Sequence, residues 1–385
     1  MTLLSRRALE SPQSGIRKMF GLAAKMTDLA NLGIGEPDFA TPPEIVEAAV
    51  RALREGATKY TSNAGIPPLR EVIMEKLSRE NNLPGTPDNV IVTAGACEAL
   101  ILCLMAVTDP GDEVIIPDPC WSNYMGEIHL AGGRAVPART YKEDRFHLKA
   151  STVKSLLTEK TRVLFLNTPS NPTGAVLGEA DLKELAALAI EHNLTVVSDE
   201  PYEKLVYDGR RHVSIGSLPG MAERTLTVNS FSKAFAMTGW RVGYVHGPEE
   251  VVGAMVKLHE SFSSCVNSAA QFASIEAMQA GAAATAAMVE SYQKRRDLLV
   301  EGLNTIPGVE CLLPEGAFYA FPDISSFGKS SADMALDLLT QAKVVAVPGD
   351  AFGQAGEGFL RMCYAASEET LEKAVDRMRK YLAGR

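Results

Sequence analysis

The sequence predicts an α/β protein, a mostly parallel sheet covered by helices, followed by a smaller α+β unit. Three observations carry that expectation. Between about residues 45 and 285, strand-like apolar runs alternate with helix-spaced segments, the pattern of strands joined through crossover helices. Glycine and proline turns follow several of those runs, so loops gather beyond strand ends. After an alanine-rich run over 269–303, able to form one or two helices, the pattern changes to PEGAFYAFPDI, KVVAVPGDAFG, GFLRMCYA and a closing helix over 367–382.

Size and composition bound the reading. At 385 residues the chain can bury a sizeable core, and its length suggests two or three domains. Apolar residues at 46% and charged residues at 22% are ordinary globular values. A formal charge of -9, with no basic run, argues against a nucleic-acid surface. The six cysteines are scattered without a C-x-x-C pair, which fits reduced thiols. The start, MTLLSRRALESPQSG, lacks the apolar core of a signal peptide, and 101–107 is too short to span a bilayer. These features predict a cytoplasmic protein.

Residues 1–30 carry helix-like spacing at Ile16, Met19, Phe20 and Ala23, and 32–43 is a glycine- and proline-rich loop. Its Gly33-Ile34-Gly35 lacks the third glycine opening a helix that a dinucleotide fingerprint needs. A helix over 44–55 places Ile45, Ala48, Ala49 and Leu53 on one face. Tyr60 follows in a turn-rich loop, as a packing aromatic or as a phenol offered to a phosphate. DNVIVTAGACEALILCLMAV reads as strand, glycine turn, helix, so the unpaired N–H groups of Gly95, Ala96 and Cys97 at the positive helix end can cradle an anion.

Trp121 comes just after a strand over 113–116, where its indole can stack on a flat ring or simply fill a core. RAVPAR is strand-like, KSLL is helical, and neither carries chemistry. The strand Thr161–Asn167 ends in TPSNPTG, which puts Asn171 on a loop at the strand end, where open α/β sheets bind ligands. LTVVSDEPY ends a second strand at Asp199, with Tyr202 three residues on. TLTVN then leads into NSFSKAFAMTGWRVGY, where Lys233 follows Ser230 and Ser232 and precedes Arg241. A lysine at a strand end can form a Schiff base with an aldehyde cofactor while hydroxyls and an arginine hold its phosphate, so the stretch reads as a pyridoxal 5'-phosphate anchor. Asp199 would keep the pyridine nitrogen protonated, and Asn171 and Tyr202 would bond the ring oxygen. Arg361 in GFLRMCYA offers a planar fork suited to an α-carboxylate.

S-x-S-K followed by M-T-G-W-R-x-G-Y, with N-P-T-G and D-E-P-Y upstream, resembles the class I aminotransferases, the fold-type-I pyridoxal enzymes. The resemblance runs from GIGEPDF to RMCYA with the motifs in the family's order. It implies a seven-stranded sheet and a small domain built from both termini: 1–45 as N-terminal arm and part of the small domain, 46–285 as the large cofactor-binding domain, 286–385 as the small domain. It further implies a homodimer in which Tyr60 reaches the neighbouring subunit's cofactor, Gly35 lining the substrate pocket, and Arg361 as carboxylate clamp. Trp121 matches the family in kind. Cys97 departs from it, standing where relatives often carry a hydroxyl residue or a lysine.

The expected activity is ping-pong transfer of an amino group from an L-amino acid to a 2-oxo acid, with 2-oxoglutarate as expected acceptor, through a Lys233 Schiff base. The alternatives are a β-carbon lyase or ring-forming synthase on the same fold, and a non-catalytic pyridoxal-binding regulatory module. Metal hydrolysis finds no support, because the six histidines show no zinc-ligand spacing. A dicarboxylate substrate needs a further cation, and KLHESFSSCVNSAAQ offers only Lys257 and His259. The GEPDF, AFAMTGWR and VPGDAFG stretches resemble broad and aromatic-accepting members of the family, and together these features lean to a broad aminotransferase, with aspartate specificity open.

Overall fold

The computed structural model describes residues 3–11, 21, 23 and 26–383. The helical spacing read at Ile16, Met19 and Phe20 lies outside the described residues, whereas Ala23 is buried. The strands are Ala30–Asn31 (β1), Val90–Thr93 (β2), Glu113–Asp118 (β3), Arg134–Arg139 (β4), Thr161–Asn167 (β5), Thr195–Asp199 (β6), Thr225–Ser230 (β7), Gly243–His246 (β8), Tyr319–Ala320 (β9), Val344–Val345 (β10), Val347–Pro348 (β11) and Leu360–Cys363 (β12).

Seven of them form one sheet in the order β2-β8-β7-β6-β5-β3-β4. All neighbours run parallel except β8, which is antiparallel to both β2 and β7. Strands β3 and β7 are buried along their length, and β5 and β6 in all but Arg162 and Thr195, because helices cover both faces and leave no polar face to alternate. Adjacent residues nonetheless point to opposite sides: Val197 joins Leu100, Leu104 and Met255 on one face, while Val196 joins Leu182, Leu185 and Ala189 on the other. Register pairs Asn167 with Asp199 and Asp199 with Val228. The carboxyl ends of β5 and β6 therefore finish level, and β7 continues two residues further, to Ser230, on the same edge of the sheet.

Two sequence expectations change in detail. The first long helix is Pro43–Arg54, and its buried stripe is Ile45, Ala48, Ala49 and Ala52, with Leu53 52% exposed. Eight residues at 100° each carry Leu53 about 80° round from Ile45, off the buried face. Strand β3 also continues two residues beyond the predicted end, to Asp118. The alanine-rich run divides at Gly281 into Ser268–Ala280 and Ala282–Asn304, where an added Cβ would crowd Phe235 and the Ala277 carbonyl.

A second core gathers the C-terminal part of the chain. Strands β11, β12 and β9 form an antiparallel sheet, and β1 pairs in parallel with β10, Ala30 opposite Val344. Leu338, Leu339, Leu371 and Met378, from the helices Ser331–Gln341 and Glu368–Leu382, pack with Ala30 and Leu32 of the N-terminal segment. Among the described residues, no helix is long and apolar enough to cross a membrane.

Candidate active site

A cavity of about 340 Å³ opens at the carboxyl ends of β5, β6 and β7. It is lined by Gly35, Ala96, Cys97, Trp121, Asn171, Asp199, Tyr202, Ser230, Ser232, Lys233, Arg241 and Arg361, twelve of the residues singled out from the sequence. Gly95 adjoins it, against Arg241. Tyr60 does not line it. That side chain is 91% exposed and belongs to a surface depression with Cys265 and Asn267.

Lys233 sits in the short helix Phe231–Ala234 directly after β7, a turn begun by the Ser230 hydroxyl accepting from the Ser232 amide at 3.1 Å. Its ammonium donates to the Gly35 carbonyl at 2.7 Å. Burial, with the Arg361 and Arg241 charges acting the same way and Glu36 opposing, lowers the Lys233 pKa to about 8. At pH 7 about a tenth of this amine is therefore neutral, against well under a thousandth for a free lysine. Gly35 is sterically required, since an added Cβ would collide with the Tyr319 hydroxyl.

Asp199 ends β6, is 3% exposed, and accepts from the Tyr124 hydroxyl at 2.5 Å and from Asn167 Nδ2 at 3.4 Å, both through Oδ2. Its Oδ1 is buried with no hydrogen-bond partner. Burial, joined by the neighbouring Glu200, raises Asp199 to about 7 against the lowering effect of the Tyr124 bond. Glu200, adjacent in the chain, makes separate bonds: it accepts from Ser198 and Ser214 at 2.7 and 2.6 Å, and from His212 at 2.7 Å.

The anion cradle forms where the helix Ala96–Val107 starts. Gly95 has φ +85°, and a Cβ there would run into the Arg241 guanidinium, so only glycine lets that arginine close over the helix end. Burial, with Glu127 reinforcing it, pushes the Cys97 thiol up to about 11, so it stands there as a neutral group. Arg241 is held by the carbonyls of Thr238 and Ala94.

Arg361 comes from β12 in the C-terminal unit and is 3% exposed. It donates to Asn171 Oδ1 at 3.2 Å and to the Gly33 carbonyl at 2.6 Å, while its Nε is buried without a partner. Its guanidinium stands 4.6 Å from the Tyr319 ring centre and 4.9 Å from that of Phe352. With Oδ1 of Asn171 so occupied, Nδ2 is its remaining donor. The Tyr202 hydroxyl shares a 2.8 Å hydrogen bond with that of Tyr319. Trp121 is half-buried and meets Tyr124 edge to face, ring centres 5.4 Å apart.

Sequence reasoning missed Tyr124, Asn167, Tyr319, Glu36 and Thr238, all of which line the cavity. Asn167 was accessible in principle, as the last residue of a strand pointing at the predicted site. Tyr124 and Tyr319 sit in WSNYMGE and GAFYAF, where nothing separates them from core aromatics.

A carboxylate with one free oxygen, an amine of lowered pKa, an anion cradle and a buried guanidinium define a site for a charged, ring-bearing cofactor and an amino-acid substrate. Residues 27–378 match the family described as aminotransferase class I and II, and the chain belongs to that family, whose members use pyridoxal 5'-phosphate. It is 46% identical over 385 residues to an aspartate aminotransferase of Pyrococcus abyssi, covering 99% of this chain and 98% of that one. It is 44% identical over 385 residues to aromatic-amino-acid aminotransferase 2 of Thermococcus litoralis, with the same coverage. The solved structure of the aspartate aminotransferase from Thermus thermophilus with maleate superposes with a TM-score of 0.95 at 43% identity, covering 99% of this chain and 100% of that one. The protein is an aminotransferase of the fold-type-I architecture.

Proposed function

We propose that the cavity holds pyridoxal 5'-phosphate and that the enzyme moves the amino group of L-amino acids with apolar or aromatic side chains to a 2-oxo acid in a ping-pong reaction. The observation that carries this reading is the buried, partnerless Oδ1 of Asp199, an oxygen that a protonated ring nitrogen would satisfy. Ser230, Ser232, Arg241 and the amides opening the helix Ala96–Val107 are the groups for the phosphate, Asn171 Nδ2 and Tyr202 for the ring oxygen, Trp121 for the ring face. When bound, the cofactor supplies an electron sink and a carrier for the amino group. Lys233 Nζ would hold the aldehyde, and as a free amine it would move the proton at the substrate α-carbon. Its lowered pKa keeps the amine competent as a base near neutrality. Arg361 binds the α-carboxylate, for which its free Nε is a ready donor, and Gly35, whose missing side chain makes room for the Tyr319 hydroxyl, lines the substrate pocket beside that ring.

The preference for an apolar side chain rests on what lines the cavity. Among the described lining residues the cations are Lys233, Arg241 and Arg361, each with a task above, while Ile34, Trp121 and Tyr319 are apolar or aromatic and Glu36 adds a negative charge. The relatives include both aspartate and aromatic-amino-acid enzymes. We assign the exposed Tyr60 to a second copy's cofactor in a homodimer, and the chain to a large domain over 46–285 and a small domain from 286–385 joined by the N-terminal segment. The parallel pairing of β1 with β10 supports that division. With one 2-oxo acid acceptor held the same for every donor, kcat/KM for phenylalanine and tyrosine should exceed that for aspartate by at least about tenfold, roughly one misplaced buried charge. The reverse ranking would overturn the specificity, and steady conversion of an amino acid with no oxo acid present would overturn the transfer itself.

A further inference from the structure

A second cavity, about 480 Å³, lies behind the turn that carries Lys233. Its wall includes Ser230, which also lines the first cavity, and Ala234, the residue after Lys233. The opposite wall is the start of the helix Ala282–Asn304, through Ala286 and Val289. Small side chains create the space, and Phe235, Tyr244, Met278 and Val289 make its surface mostly apolar, in the size range typical of small-molecule sites.

The charged groups at its edge are committed to one another. Lys76 pairs with Glu203, and also donates to Asn81 at 2.8 Å. Lys204 pairs with Glu80, and Glu290 with Lys294 at 2.7 Å. Among the described residues, no free charge is left there to select an ion. Asn229 differs. It is 3% exposed, and its Oδ1 accepts from the Ser230 amide at 2.7 Å, which fixes the orientation of the side-chain amide. Its Nδ2 is then a buried donor without a partner, an arrangement that costs free energy until an acceptor arrives.

We propose that this cavity is an effector site for a small neutral molecule with an apolar or aromatic body and one carbonyl oxygen, the oxygen taking the hydrogen bond from Asn229 Nδ2. The occupant would sit where the lysine turn meets the long helix. There the Thr285 hydroxyl donates to the Ala234 carbonyl at 2.7 Å, so a molecule wedged against Ala286 and Phe235 bears directly on that junction. The proposal stands independently of which amino acid the enzyme prefers.

The test uses the cofactor-loaded enzyme and para-fluoroacetophenone as probe. Fluorine NMR should show saturable binding that Ala286→Phe weakens by at least about tenfold, since the new ring occupies the cavity, while basal kcat/KM stays within about twofold. Ala286 is exposed on its helix, so the variant is expected to fold. Crystals of the wild-type enzyme with the probe should place the ketone oxygen within hydrogen-bond distance of Asn229 Nδ2, and the probe should change wild-type turnover but not that of Ala286→Phe. Equal binding by both proteins, density only in the Lys233 cavity, or a second copy's segment filling the space would overturn the site. Binding with unchanged turnover would overturn the effector role.

Discussion

Replacing Tyr124 by Phe removes one hydroxyl from a buried carboxylate and little else. The phenol reaches Asp199 Oδ2 at 2.5 Å, and its ring packs against Phe165 and Trp121 at 4.4 and 5.4 Å, contacts that phenylalanine retains. What remains on Oδ2 is Asn167 Nδ2 at 3.4 Å, a weak substitute. A hydrogen bond to a charged group is worth about 1.5–3 kcal/mol, which corresponds to roughly one to two units of pKa. Asp199 already lies at about 7 through burial, and losing the Tyr124 bond moves it further up. A cationic ring nitrogen bound at Oδ1, as proposed, would lower the value in both proteins and leave the difference. The assay is the pH dependence of kcat/KM with cofactor saturating. In Tyr124→Phe the limb on which activity falls with acid should sit about one to two units higher than in wild type, with activity recovering towards alkaline pH. Coincident limbs, or an equal loss at every pH, would refute the claim that this hydroxyl sets the ionisation of Asp199.

Arg361→Lys should raise KM for amino acids and lower kcat/KM by about two orders of magnitude, because a point charge cannot reproduce the fork on a carboxylate; a loss confined to kcat would contradict the clamp. His147 donates from both ring nitrogens, to Asp181 at 2.8 Å and to Glu315 at 2.9 Å, which ties the large sheet's surroundings to the segment leading into the strand bearing Tyr319. Burial alone would lower its pKa, but the two carboxylates outweigh that and raise it. A raised folded-state value gives stability that is full below the unfolded pKa of about 6.5 and is lost as pH rises through the folded value. Thermal melts of His147→Gln should therefore fall clearly below wild type at pH 6, with the gap narrowing at pH 9; a gap independent of pH would show that the charge is immaterial.

Much of the site was legible because its chemistry sits at strand ends. Asp199, Asn171 and Lys233 each end or follow a strand-like run, and a parallel register brings such ends together. Gly95 was readable for a related reason, as the glycine turn before a helix. Tyr124 and Tyr319 were not. Their importance comes from a single hydroxyl aimed at a partner 75 or 117 residues away, at Asp199 and Tyr202, and no local pattern encodes that distance. Leu53 shows the limit on the fold side, since an apolar residue near the end of a helix can fall outside the buried stripe and be exposed. The second cavity was invisible in the sequence because the alanines that line it, Ala234, Ala277, Ala282 and Ala286, look like ordinary helix formers until the elements pack.

The most direct test of the account is to identify the lysine that holds the cofactor. Holoenzyme treated with borohydride, digested and analysed by mass spectrometry should carry the reduced cofactor adduct on the peptide containing Lys233 and on no other. An adduct on a different lysine, or a fully loaded and active enzyme with Lys233 unmodified, would contradict the assignment of this cavity as the catalytic centre.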